Sequence, residues 1–104
     1  MFARLARYDV SVEQVDEAVQ AFSEAAARLA ELNGSQGGYL LVDRESGGML
    51  TFTFWDSEAA CSQSEVRAAA LRRQALSTVG GEVVSVSSYE VAVDFTPQPA
   101  AQSA

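Results

Sequence analysis

The chain has no histidine, and all seven of its basic residues are arginine, so lysine is absent as well. These two gaps remove Schiff-base and phosphate-loop lysines, histidine-dependent triads and imidazole metal ligands together. A single cysteine, Cys61, excludes an intrachain disulfide and any cysteine-cluster metal site. No apolar run approaches the ~18 residues that a membrane span needs. Positive charge is scarce: fourteen acidic residues against seven basic ones give a net charge of −7, which argues against a phosphate-backbone partner. The first residues carry no charged-then-apolar leader pattern, so the expected location is cytoplasmic. No glycine pair sits in a dinucleotide or phosphate-loop pattern, and the acids do not follow calcium-loop spacing. The expectation is therefore a protein with no metal, flavin or haem.

What is present is ordinary for a globular domain: 104 residues, 48% hydrophobic and 20% charged. One core fits in this length, and it buries roughly 60–70% of the unfolded surface. Phe2 to Val10 reads as a strand. Ser11 with Gln14 forms a capping-box start. From Val12 to Leu32, Val15, Ala18, Val19, Phe22, Ala25, Ala26 and Leu29 recur at helical spacing, and acids occupy the opposite side. Asn33-Gly34 stops that helix. Tyr39–Arg44 and Met49–Asp56 read as the arms of a hairpin around Glu45-Ser46-Gly47-Gly48. Ser57 caps a short helical start, a break is expected at Ser62-Gln63-Ser64, and the helix resumes to Val79. Val83 to Val93 is the last strand. Residues 1–95 form the domain, and residues 96–104 read as a flexible tail.

The order β-α-β-β-α-β predicts an α+β ferredoxin-like fold with a four-stranded antiparallel sheet, both helices on one face. The most apolar strand residues, Leu50, Phe52 and Phe54 with Leu40, Val42, Ala3, Leu5, Val84 and Val86, are placed under the helices. The other face then carries Phe2, Arg4, Ala6, Tyr8, Tyr39, Leu41, Met49, Thr51, Thr53, Trp55, Ser85, Ser87 and Tyr89. That face is too apolar to meet water alone, so it predicts a homodimer whose two sheets enclose a shared interior. Aromatic walls with a few hydroxyls suit a flat organic ligand.

The segment GGYLLVDRESGGMLTFTFWDSEAA at residues 37–60, with FARLARYDV before it and VVSVSSYEVAVDF after it, resembles the antibiotic biosynthesis monooxygenase family of dimeric α+β barrels. The resemblance implies cofactor-independent oxygenation of an aromatic or polyketide-like molecule, the substrate carbanion itself reducing dioxygen. By residue type it implies Trp55, Arg4 and Tyr39 as catalytic candidates. Phe2, Tyr8, Leu41, Met49, Thr51, Thr53, Ser85, Ser87 and Tyr89 would then line the ligand site. The pocket asparagine described for the family has no strand counterpart here, since the sole Asn is Asn33. The haem degraders of this fold use a histidine, which the chain lacks.

Bland roles stand beside these. Trp55 and the tyrosines also suit packing at an interface. Arg4 also suits an intersubunit ion pair with Asp43 or Glu90, and Arg67, Arg72 and Arg73 suit surface ion pairs. Cys61 suits a buried small hydrophobe. The alternative function is a non-catalytic dimeric barrel that binds a small ligand or serves a stress or assembly role. A regulatory amino-acid-binding domain of the same topology is a third option.

Overall fold

The computed structural model describes residues 1–95 and Pro97. The expected tail at 96–104 therefore lies outside the described residues, apart from Pro97. The elements are β1 (Phe2–Asp9), a short 3-10 turn (Val12–Gln14), α1 (Val15–Leu29), β2 (Ser35–Asp43), β3 (Gly48–Trp55), α2 (Glu58–Ser77) and β4 (Glu82–Glu90). The sheet order is β2-β3-β1-β4 with every neighbour antiparallel, which is the predicted ferredoxin-like arrangement.

Local chemistry explains the boundaries. The chain enters the first helical segment through the 3-10 turn, where Gln14 N–H donates to the Ser11 carbonyl at 2.8 Å; the Ser11 side chain makes no cap. That shortens the expected helix at its start. Ser57 does cap α2, accepting from Ala60 N–H at 3.1 Å. The expected break at residues 62–64 does not occur, because α2 runs on through it. Ser64 stays helical by turning its hydroxyl back onto the Cys61 carbonyl at 2.7 Å, three residues earlier.

Each helix buries a stripe. On α1 it is Val15, Ala18, Phe22 and Ala25. On α2 it is Cys61, Ser64, Ala68, Arg72, Ala75 and Leu76, so two polar residues stand within the buried register. The main core joins these stripes to Ala6, Tyr8, Val10 and Met49, with Leu40 and Val42 packed against them.

The strand faces differ from the sequence expectation. Register pairs Arg4 with Thr53, Ala6 with Thr51 and Tyr8 with Met49, and these side chains lie under the helices. The partner pairs Ala3–Phe54, Leu5–Phe52 and Arg7–Leu50 therefore occupy the open face. β1 and β3 are thus inverted relative to the expectation, whereas Leu40 and Val42 of β2 do lie beneath the helices. The reason is physical: Tyr8, Met49 and Trp55 fill the covered face together with Arg4, whose charge is paired on α2, and Leu5, Leu50, Phe52 and Phe54 are left on the other side. On β4, Val86 pairs with Ala6 on the helix side but remains 40% exposed, since this edge strand is exposed along its whole length. No described helix is long and apolar enough to cross a membrane.

Candidate functional site

The space left on the covered face is a cavity of about 270 Å³ between the sheet and the helices of one chain. It is not the shared interior between two sheets that the sequence suggested. Its apolar wall comes from the second half of α1, through Phe22, Ala25, Ala26 and Leu29, and from Ala68 of α2. The floor comes from Arg4 and Tyr8 of β1 and from Thr51, Thr53 and Trp55 of β3. The exposed rim includes Ala26, Ala30, Gly38 and Tyr39.

Small helix residues keep the cavity open: leucine at Ala25 or Ala68 would fill it. The rim depends on an irregular start to β2, where the register shifts between Ser35 and Gly38. Gly37 has φ +82°, a left-handed conformation that glycine takes without strain. At Gly38 a Cβ would lie 1.9 Å from the Phe52 carbonyl oxygen, so only glycine allows this approach.

The floor is polar but internally paired. Tyr8 Oη and Thr51 Oγ1 are 2.9 Å apart, and the Tyr8 ring tilts against Phe22 with centroids 4.8 Å apart. Trp55 is fully buried, and its Nε1–H donates to Thr53 Oγ1 at 3.0 Å. Arg4 is 4% exposed, with its guanidinium carbon 5.1 Å from the Trp55 ring centroid. One Arg4 amino group donates to the Cys61 carbonyl and to Ser64 Oγ, the latter at 2.6 Å. Arg4 Nε lies 3.0 Å from Glu65 Oε1, an oxygen that accepts no aligned hydrogen bond, so charge holds that contact. The ion pair of Arg4 is thus within the chain, on α2, and does not involve Asp43 or Glu90.

Arg72 is the residue the sequence reading missed. It was expected on the surface, yet it is 6% exposed and lines the cavity. It donates to Glu65 Oε2 at 2.6 Å, and its other N–H groups have no partner among the described residues. The signal lay in spacing: Arg72 stands four residues after Ala68 and three before Ala75, within the small-residue stripe of α2.

Electrostatics at the floor follow from this. Burial pushes the Tyr8 phenol above its ordinary value, while its Thr51 hydrogen bond and the charge of Arg72 pull against that rise. Tyr8 is therefore a neutral donor at neutral pH. The described lining contains no carboxylate, thiol or imidazole.

Of the sequence candidates, the cavity gathers Arg4, Trp55, Tyr8, Thr51 and Thr53, with Tyr39 at the rim, 68% exposed and edge-on to Phe54. Phe2 pairs with Trp55 but does not line the cavity. Met49 is core. Leu41 is on the open face, and Ser85, Ser87 and Tyr89 lie there on β4, opposite Arg7, Leu5 and Ala3. These four are away from the cavity because β2 and β4 turn those side chains to the side without helices. Cys61 is buried and unpaired as a thiol, as expected. Among the described residues no group of three or more acidic, cysteine or histidine side chains is placed to hold a metal.

A ferredoxin-like sheet roofed by its own two helices over an apolar, arginine-floored cavity defines the class of this α+β domain. The family model for antibiotic biosynthesis monooxygenases matches residues 1–76, and the chain belongs to that family. Among solved structures, a Deinococcus radiodurans protein described as a candidate antibiotic biosynthesis monooxygenase superposes with TM-score 0.75 at 16% identity, over 94% of this chain and 99% of that one. SnoaB, a cofactor-independent oxygenase from Streptomyces nogalater, superposes with TM-score 0.70 at 17% identity, over 93% of this chain and 97% of that one. A Nitrosomonas europaea protein of similar description gives TM-score 0.69 at 8% identity, over 89% and 100%. At such identities the likeness is one of fold. No curated protein matches the chain by sequence.

Proposed function

We propose that the chain is a cofactor-independent monooxygenase for a flat aromatic or polyketide-like molecule with an acidic C–H bond, and that it works as a homodimer. The observation that carries this is the enclosed apolar cavity with the buried Arg72 guanidinium in its wall and donors to spare. The family membership supports the reaction class. The open sheet face supports the dimer: Leu41 is 47% exposed and Tyr39 68%, beside half-buried Leu5, Leu50, Phe52 and Phe54.

The chemistry asked of the protein is modest. The lining offers no strong base, so the substrate supplies its own acidity and the site stabilises the anion that forms. Arg72 donates to the developing oxyanion, Tyr8 stays protonated as a second donor, and Trp55 gives the ring a surface. The C–H proton passes to water; the enolate then gives an electron to dioxygen, the radical pair closes to a peroxide anion at carbon, and that anion takes a proton back from water. Loss of water from the peroxide leaves a carbonyl. A methylene and dioxygen become a ketone and water, so atoms and electrons balance without a reductant.

The test is aerobic incubation with anthrone. Anthraquinone should form with equal uptake of dioxygen, faster than the uncatalysed reaction and unaffected by chelators. Product at the uncatalysed rate overturns the enzyme reading. The internal pairing of Tyr8 with Thr51 and of Trp55 with Thr53 favours the second reading, a binding protein without turnover. Saturable quenching of Trp55 by anthrone with no product would put that reading first.

A further inference from the structure

We propose that Glu65 is a specificity-determining residue: it holds the cavity to a single net positive charge and so selects ligands that carry one anionic group. The inference rests on the cavity being a ligand site, as proposed above, and names the class of ligand it takes.

Glu65 does not itself line the cavity. It sits behind the wall on α2, two helical turns before Arg72 and facing Arg4 of β1, with a side chain 43% exposed. Its two oxygens divide between the two buried guanidiniums. Oε1 faces Arg4 Nε at 3.0 Å, and Oε2 accepts from Arg72 at 2.6 Å. Two guanidiniums against one carboxylate leave one positive charge. The charges that act on the Tyr8 phenol at the floor are those of Arg72, Glu65 and Arg4, so this trio sets the field inside.

The two arginines are not equivalent. Arg4 is held by the Cys61 carbonyl, Ser64, Glu65 and the Trp55 ring. Arg72 has Glu65 as its one partner among the described residues. The uncompensated charge is therefore presented by Arg72. A monoanion completes the balance. A dianion leaves an unpaired negative charge in a low-dielectric space, and a neutral ligand leaves the positive one.

The experiment measures binding by quenching of Trp55, the sole Trp, with naphthoate, naphthamide and a naphthalene dicarboxylate. Wild type should bind naphthoate most tightly. Glu65→Gln keeps the shape and removes the charge; the preference for dicarboxylate over naphthoate should rise about tenfold, the size expected for one partly solvated charge at this range. Arg72→Met should abolish the preference for naphthoate over naphthamide. The double variant Glu65→Gln/Arg72→Met restores a single positive charge, on Arg4, and should bring back a preference for naphthoate. Circular dichroism establishes that each variant is folded, and the double variant serves if Glu65→Gln alone is not. Unchanged ligand ratios in folded Glu65→Gln, or no recovery in the double variant, overturn the charge selection alone. Wild type that binds none of the three ligands overturns the cavity reading and this inference with it. No turnover is measured, so a failed anthrone assay leaves the outcome intact.

Discussion

The two faces of the sheet share four strands but follow opposite rules. The face beneath the helices carries Arg4, Ala6, Thr51 and Thr53 beside Tyr8, Met49 and Trp55, and it holds the buried residues and the cavity. The face without helices carries Leu5, Leu50, Phe52 and Phe54, and no described helix packs on it. Hydropathy alone therefore misassigns them. A covered face can carry polar residues where these pair with one another around a cavity, and a face without helices can carry aliphatic and aromatic ones.

The largest expected effect tests the open face. Phe54→Asp places a charge on it, opposite Ala3 near the end of β3. The wild-type protein should sediment as a dimer at micromolar concentration, and the variant as a monomer, since an unpaired interfacial charge costs several kcal/mol, roughly a hundredfold or more in the dissociation constant. A variant that remains dimeric breaks the contrast between the faces.

On the covered face, Trp55→Ala should lower stability by about 3–5 kcal/mol in chemical denaturation, because a fully buried aromatic is lost and Arg4 loses its platform. Arg4→Met should cost about 1.5–3 kcal/mol, since Ser64 Oγ loses its Arg4 donor and Glu65 loses one of its two guanidinium partners. Arg72→Met, which removes a single ion-pair contact, should cost less stability than Arg4→Met while costing more affinity for an anionic ligand. If the two arginines trade these roles, the assignment of one to the fold and the other to the ligand is reversed.

The smallest effect is in pH. The folded-state pKa of Tyr8 is raised, so above the ordinary tyrosine value the unfolded chain holds fewer protons than the native one. Stability from the neutral buried phenol is then complete below about pH 10 and falls as pH rises from there through the folded pKa. Ultraviolet titration should show one phenol ionising above the ordinary tyrosine value, and Tyr8→Phe should remove that step and flatten the alkaline loss of stability.

Element order was readable in the chain because Gly and Asn stops, the Ser57 cap and the stripe of α1 each act locally. The family resemblance rested on the same local features, in the hairpin and its junction at Trp55. Face assignment was not readable on β1 and β3, since both faces of these strands carry apolar residues and alternation cannot say which one the helices choose. Arg4, Tyr8, Thr51, Thr53 and Trp55 were found together because they share one side of two paired strands, whichever side that is. Arg72 and Glu65 were missed because an arginine among alanines on a charged helix looks solvated until tertiary packing closes over it. The continuous run of α2 through Ser62-Gln63-Ser64 escaped notice because the Arg4–Ser64 contact joins residues sixty positions apart.

The rim at Gly37 and Gly38 sets the route into the molecule. It opens at the β2 edge and the end of α1, where Tyr39 stands at the rim edge-on to Phe54, at the border of the face without helices. Two copies joined through their bare sheets would each keep a chamber of their own beneath their helices. Such a pair fills its sites independently, so a titration should follow a simple hyperbola with a Hill coefficient near one.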